Sequence, residues 1–145
     1  MRQSIHYLCS IAIVLWASVS LAQVPLPSDV AIAPPAPDLR ADLAAFSGKW
    51  VGKWSGRLDA ILIVEHIDTD KANVIYAWGD APQWGIEKGY KRFVASVIAT
   101  DGAALDFQSG SGSFHVQMNN DLATVKVTRV AFSRTDIESF RRTGP

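Results

Sequence analysis

The sequence has only one cysteine, Cys9, which excludes an intramolecular disulfide. Cys9 lies in the first apolar stretch and follows the bulky residues His6, Tyr7 and Leu8, so it does not resemble a lipoprotein attachment site. A domain without disulfides is stabilised by its hydrophobic core, and about 100 ordered residues are enough to form one. The sequence therefore predicts a disulfide-free, core-stabilised domain.

An excess of charge of either sign is also missing. The chain has 14 Lys and Arg residues against 14 Asp and Glu residues, which disfavours binding to nucleic acid or to an anionic membrane surface. Basic residues such as Lys91 and Arg92 alternate with acids and are interpreted as solvated surface. We predict no nucleic-acid partner.

Motifs for several kinds of chemistry are absent as well. The sequence has no phosphate-binding loop and no dinucleotide fingerprint, and the serines and glycines of residues 109–113 do not form a nucleophile elbow. Beyond the first 22 residues only His66 and His115 remain, which is too few for a zinc site with about three converging ligands. We predict no metal, no cofactor and no catalytic residues.

The first 22 residues have the features of a cleavable signal peptide. Arg2 precedes the short apolar stretch Leu8–Trp16, and Ser20-Leu21-Ala22 places small residues before a cleavage site after Ala22. The apolar centre is shorter than the roughly 20 residues that span a bilayer, although an uncleaved anchor is the alternative. Loss of Arg2 would leave 13 basic and 14 acidic residues, a net charge of −1. We expect an exported protein, periplasmic or secreted, with no membrane span after cleavage.

Residues 23–37 contain five of the seven prolines and predict an extended, mobile tether. Asp38 is a candidate N-cap for a short helix over residues 39–45 that covers one end of the following domain. The alternative is that this stretch continues the tether. Residues 38–145 are then expected to form one domain.

From Phe46 onward the hydrophobic pattern has period 2, which is typical of β-strands. Strands are predicted from Gly48 onward and then over residues 60–67, 73–78, 90–100, 105–108, 114–118 and 124–130, with residues 132–134 extending or following the last of these. Thr135 and Glu138 fit a capping box for a helical turn over residues 136–142. The sequence predicts an all-β protein: a small antiparallel up-and-down barrel of about eight strands, with a helical turn at each end.

The first strand has an unusual alternation of small and large residues. Because residues two apart share one face of a strand, Gly48, Trp50, Gly52, Trp54 and Gly56 are predicted to line one side. Glycine weakens a strand, so its repetition indicates a sharp bend or the close approach of another group. We assign Gly48, Trp50, Gly52 and Gly56 a structural role.

The stretch Asp42–Trp50 (DLAAFSGKW) contains Phe-x-Gly-x-Trp and resembles the opening of calycin-type barrels, which include lipocalins, fatty-acid-binding proteins and avidin-like proteins. The resemblance covers the first strand well and the remaining strands in outline. It implies that Trp50 closes one end of the barrel beneath an arginine late in the chain, either Arg129 or Arg134. The chain departs from a usual lipocalin in its shorter length and its lack of a disulfide, and the resemblance implies no particular ligand.

Aromatic residues are the candidate ligand-binding groups. Trp54, Tyr76 and Trp78 are predicted to form the wall of an apolar pocket, and Trp84, in the loop over residues 81–89, is predicted to gate it. The alternative is that these rings simply fill the core of a small barrel.

The predicted function is binding of a small apolar or amphipathic ligand. The second hypothesis is an interaction or structural module without a cavity, which would contact another envelope protein through an edge strand or Trp84. The third is an isomerase or hydratase that uses His66 or His115 with an acid such as Asp106. It ranks last because no acid, base and anion-stabilising group can be assembled from the sequence.

Overall fold

A computed structural model describes residues 23–110 and 112–144 and shows a closed barrel of eight antiparallel strands in up-and-down order. Each strand pairs with the next in the chain, and the first pairs with the last, which confirms the predicted fold class. The predicted signal peptide, residues 1–22, lies outside the described residues. The strands are β1 (Gly48–Trp54), β2 (Leu58–Ile67), β3 (Lys71–Trp78), β4 (Gly89–Ile98), β5 (Ala104–Ser109), β6 (Gly112–Met118), β7 (Thr124–Ala131) and β8 (Arg134–Thr143).

The barrel has a filled end and an open end. Alternate side chains of each strand point inward, and at the filled end they form a buried apolar core that includes Trp50, Leu62, Leu105, Val116 and Val125. The open end carries the β1–β2, β3–β4, β5–β6 and β7–β8 connections. The second of these, the β3–β4 loop, contains the 3-10 turn Pro82–Trp84.

Gly52 allows a bulky ring to lie against the backbone of β1. A Cβ atom added to Gly52 would lie 2.1 Å from Cδ1 of Phe140, a fully buried residue of β8. The alternation of glycine and tryptophan thus serves a close approach, as predicted, and Phe140 fills that space. Gly56 departs from the prediction: it lies in the β1–β2 turn with φ of +66°, beyond the end of β1.

Trp50 closes the filled end of the barrel. Its side chain is fully buried, and its Nε1 donates a hydrogen bond to the carbonyl of Phe46 at 2.8 Å. The guanidinium of Arg142, from β8, lies 4.7 Å from the centre of the ring and donates hydrogen bonds to the carbonyls of Ser47 and Ala45. The arginine over Trp50 is therefore Arg142. The assignment to Arg129 or Arg134 was wrong, because both of those residues lie near the open end.

The predicted C-terminal helix was wrong. Residues 136–142 belong to β8, in which Thr135 and Glu138 are strand residues and no capping box forms. Residues 132 and 133 form the turn before β8, with positive φ at both Phe132 and Ser133, so they do not extend β7. The inward face of β8 carries Arg134, Asp136 and Glu138 at the open end, which hid the strand pattern. Pairing with both β7 and β1 makes β8 the strand that closes the barrel.

The N-terminal helix is shorter than predicted, because α1 spans only Ala41–Ala44. Arg40, rather than Asp38, occupies the N-cap position, and no side chain caps the helix. Leu43 is buried in the core, and Arg40 donates a hydrogen bond to the carbonyl of Ala99 in the β4–β5 turn, so α1 covers the filled end as expected. No helix within residues 23–110 and 112–144 has the length and apolar character needed to cross a membrane.

The proline-rich stretch over residues 23–37 lies against the outside of the barrel. A bulge in β2 shifts its pairing with β3 between Val64 and His66, which frees the backbone of Glu65. The Glu65 carbonyl accepts a hydrogen bond from Ala33 N–H at 2.8 Å, and its carboxylate accepts one from Ala31 N–H at 3.0 Å. The mobility of this stretch stays a prediction. The two hydrogen bonds to Glu65 would restrict such motion.

Candidate ligand site at the open end of the barrel

A cavity of about 700 Å³ opens between the connections at the open end. Its wall includes all four residues predicted to bind a ligand: Trp54, Tyr76, Trp78 and Trp84. The turns after β1 and β5 contribute Ser55 and Gly110 to its rim. The cavity lining includes residues of all eight strands and of the β3–β4 loop.

The floor of the cavity is a cluster of aromatic rings. Nε1 of Trp54 donates a hydrogen bond to the hydroxyl of Tyr76 at 2.7 Å, and both residues are buried. The ring of Phe114 lies 4.8 Å from that of Tyr76 and 6.5 Å from that of Trp54, measured between centroids. The hydrogen bond orients both rings, and the floor is apolar apart from Trp54 Nε1 and the Tyr76 hydroxyl.

The Tyr76 hydroxyl in the floor stays protonated at neutral pH. Burial raises the pKa of Tyr76 to about 12, because the phenolate would lose its hydration, although the Trp54 N–H and the charge of Arg129 both oppose this rise. The hydroxyl already accepts a hydrogen bond from Trp54. Its own hydrogen is therefore available to a polar atom of a ligand.

Trp78 and Trp84 form the upper part of the cavity. Trp78 stacks on Tyr76 at 5.8 Å between ring centroids, and its Nε1 donates a hydrogen bond to the carbonyl of Glu87 at 2.7 Å. This bond ties the β3–β4 loop to the wall, and a 2.8 Å bond from Lys88 N–H to Asp80 joins the two ends of the loop. Trp84 lies in the 3-10 turn of the same loop, lines the cavity and is 43% exposed.

Four charged side chains at the mouth were missed by the sequence analysis. Lys91 lies opposite Tyr76 on β4, and Arg129, Arg134 and Asp136 come from β7 and β8. Lys91 was interpreted as solvated surface, Arg129 and Arg134 as candidate partners of Trp50, and Asp136 as the first residue of a predicted helical turn. Their spacing in the sequence could have identified two of them as inward-facing. Lys91 is two residues before Phe93 and Arg129 is two residues after Val127, so each shares the inward face of its strand.

The two histidines lie away from this cavity. His115 and Asp106 pair across β5 and β6, with Nδ1 of the histidine 2.5 Å from Oδ1 of the aspartate. Their side chains point to the outer face of the barrel, since the inward positions of these strands are Leu105, Phe107 and Phe114. His66 is an exposed residue of β2. The part of the chain that the structure describes contains no group of three His, Cys, Asp or Glu side chains able to hold a metal ion.

Comparison with protein-family models and with curated protein sequences found no match to this chain. The fold and the cavity therefore define its class, which is a small up-and-down β-barrel, filled at one end and open to an aromatic cavity at the other. This architecture is consistent with a calycin-like barrel.

Proposed function

We propose that the protein binds a small apolar or amphipathic ligand in the open-end cavity, with Trp54, Tyr76 and Trp78 as its wall and Trp84 as its gate. The observation that carries this proposal is the cavity itself. Its volume of about 700 Å³ falls within the roughly 300–1,000 Å³ typical of small-molecule sites. Its lining combines aromatic and aliphatic side chains with a few polar groups, among them the Tyr76 hydroxyl, which is the usual composition of such sites.

The division of the barrel supports binding over a purely structural role. At the filled end, Phe140 lies directly on Gly52 and Trp50 is fully buried, as in an ordinary protein interior. At the open end, large rings surround a space instead of filling it. A module without a cavity would have no use for that space. An enzyme is disfavoured because His115 and Asp106 are on the outer face.

Two further elements of the proposal rest on sequence and local geometry. The Phe-x-Gly-x-Trp opening, together with Trp50 beneath Arg142, supports a calycin-like relationship. Arg2, the apolar stretch and Ser20-Leu21-Ala22 support export to the periplasm or the medium. The mass of the protein isolated from its own envelope or medium would test export, because cleavage after Ala22 predicts a chain that begins at Gln23.

The binding proposal is tested with N-phenyl-1-naphthylamine, an uncharged aromatic dye whose fluorescence rises in apolar surroundings. We expect saturable binding to the purified protein and at least tenfold weaker binding to Leu58→Trp, because Leu58 lines the cavity and the larger ring would occupy it. The matched control is Ile137→Trp on the outer face of β8, where residue 137 is 58% exposed. Circular dichroism verifies folding of each variant. Absence of dye binding to the folded protein, or equal binding to Leu58→Trp, would refute the proposal.

A further inference from the structure

The mouth of the cavity carries more positive than negative charge. Lys91, Arg129 and Arg134 line it together with a single carboxylate, that of Asp136. The nearest further acid along the inward face of β8 is Glu138, whose carboxylate accepts a hydrogen bond from Ser55 N–H at 2.9 Å. Even when Glu138 is counted, the inward-facing cations of the mouth exceed the inward-facing acids by three to two. This excess contrasts with the near-neutral charge of the whole chain.

Asp136 cannot neutralise all three cations. Its carboxylate lies 2.8 Å from Nε of Arg134 and 3.6 Å from Nη1 of Arg129. Arg134 is largely exposed and makes the shorter contact, whereas Arg129 is 36% exposed and makes the longer one. Within residues 23–110 and 112–144, Lys91 forms no ion pair. Arg129 and Lys91 therefore retain charge that a ligand can use.

These two cations stand next to the apolar wall. Lys91 is the cross-strand partner of Tyr76, and the charge of Arg129 lowers the pKa of the same tyrosine against the effect of burial. Arg129 is also the cross-strand partner of Phe114 in the aromatic floor. A molecule whose apolar body lies on Tyr76 and Phe114 would thus place its outer end beside both cations.

We propose that the ligand is an amphipathic anion, an apolar, ring-containing molecule with one acidic oxygen-bearing group such as a carboxylate or sulfonate. The acidic group is bound at the mouth by Arg129 and Lys91, and the body lies among Trp54, Tyr76 and Trp78. Guanidinium and ammonium groups bind such oxyanions through charge-assisted hydrogen bonds, which are stronger than neutral ones. This inference rests on the proposed function and adds the charge of the ligand to it.

Two dyes that differ by one anionic group provide the test. 8-Anilino-1-naphthalenesulfonate has the ring system of N-phenyl-1-naphthylamine plus a sulfonate. We expect the sulfonate dye to bind the purified protein at least about tenfold more tightly, as one charge-assisted hydrogen bond provides. Added salt should weaken its binding and leave that of the uncharged dye unchanged, because only the anion is attracted by screened charges.

Variants at the mouth then assign the effect to residues. Arg129→Met and Lys91→Met should each weaken binding of the sulfonate dye about tenfold without changing that of the uncharged dye. Asp136→Asn should strengthen it, because the competing carboxylate is removed. Lys126→Met is the matched control, since it removes one positive charge from the outer face of β7. It should change neither dye's affinity.

The outcomes separate the two proposals. If the folded protein binds neither dye, the proposed function fails and this inference fails with it. If the uncharged dye binds but the sulfonate dye binds no more tightly, the cavity binds neutral ligands and only the inference is overturned. Weaker binding of the sulfonate dye to Asp136→Asn would also overturn it.

Discussion

Gly52→Ala tests the packing that separates the filled end from the cavity. The added Cβ would lie 2.1 Å from a ring carbon of Phe140, whereas carbon atoms in contact are usually about 3.5–4.0 Å apart. The ring cannot easily retreat, because it is fully buried and packs edge-on against Trp54 at 5.8 Å between centroids. Overpacking typically costs about 1–3 kcal/mol, and this clash with a confined ring lies at the upper end. We expect a loss of about 3 kcal/mol in the free energy of unfolding, measured by urea denaturation.

A double-mutant cycle shows whether Phe140 is the cause. Phe140→Ala alone should cost about 3–5 kcal/mol, and in that background Gly52→Ala should cost almost nothing, which gives a coupling energy of about 3 kcal/mol. Gly56→Ala is the matched control: no atom lies within 4 Å of its added Cβ, so only the positive φ opposes it, at about 1–2 kcal/mol. Additive losses at residues 52 and 140 would refute the steric argument.

Three further perturbations test the Trp50 plug that closes the filled end and the aromatic floor of the cavity. Trp50→Ala should lower the free energy of unfolding by about 3–5 kcal/mol, because it empties a fully buried site; a loss below about 1 kcal/mol in denaturant titration would contradict the plug. Arg142→Met should cost about 2 kcal/mol, since the carbonyls of Ala45 and Ser47 lose a charged donor; unchanged stability would show that water replaces it. The pKa of Tyr76 is about 12 in the folded state and 10.0 in the unfolded state, so unfolding releases a proton at high pH. The free energy of unfolding should therefore fall between about pH 10 and 12, by up to about 3 kcal/mol. Tyr76→Phe should remove this part of the pH dependence in alkaline denaturation curves, and an identical curve for both proteins would show that Tyr76 does not cause it.

Most of the fold could be predicted because several strands alternate between buried and more exposed residues. The stretch 114–118 illustrates this, since Phe114, Val116 and Met118 point into the core while the intervening residues do not. β8 could not be recognised in the same way. Its inward positions at the open end are charged. Phe140 is the only large apolar residue on the inward face of this strand. Where a strand borders the cavity, its inward residues can be charged, and the sequence then shows no alternation of apolar and polar residues.

The candidate site divides along similar lines. Trp54, Tyr76 and Trp78 could be predicted as wall residues because strand periodicity fixes the face on which each lies. The role of Lys91 and Arg129 could not, because a charged residue in a strand usually faces solvent. Here each faces inward but sits near the mouth, where water reaches the inner face. Only the closed geometry of the barrel distinguishes that position from the outer surface.

The pairing of β1 with β8 also determines the order in which the barrel can fold. Every other strand pair is a neighbour in the chain, so successive hairpins can form as synthesis proceeds, whereas Lys49–Val51 must wait for residues 141–143. These three pairs include Trp50 opposite Arg142, so the contact that completes the sheet also seals the filled end. Until then β1 and β7 expose unpaired backbone groups to other chains. A truncation within β8 is therefore expected to cause aggregation, even though it leaves most of the aromatic wall intact.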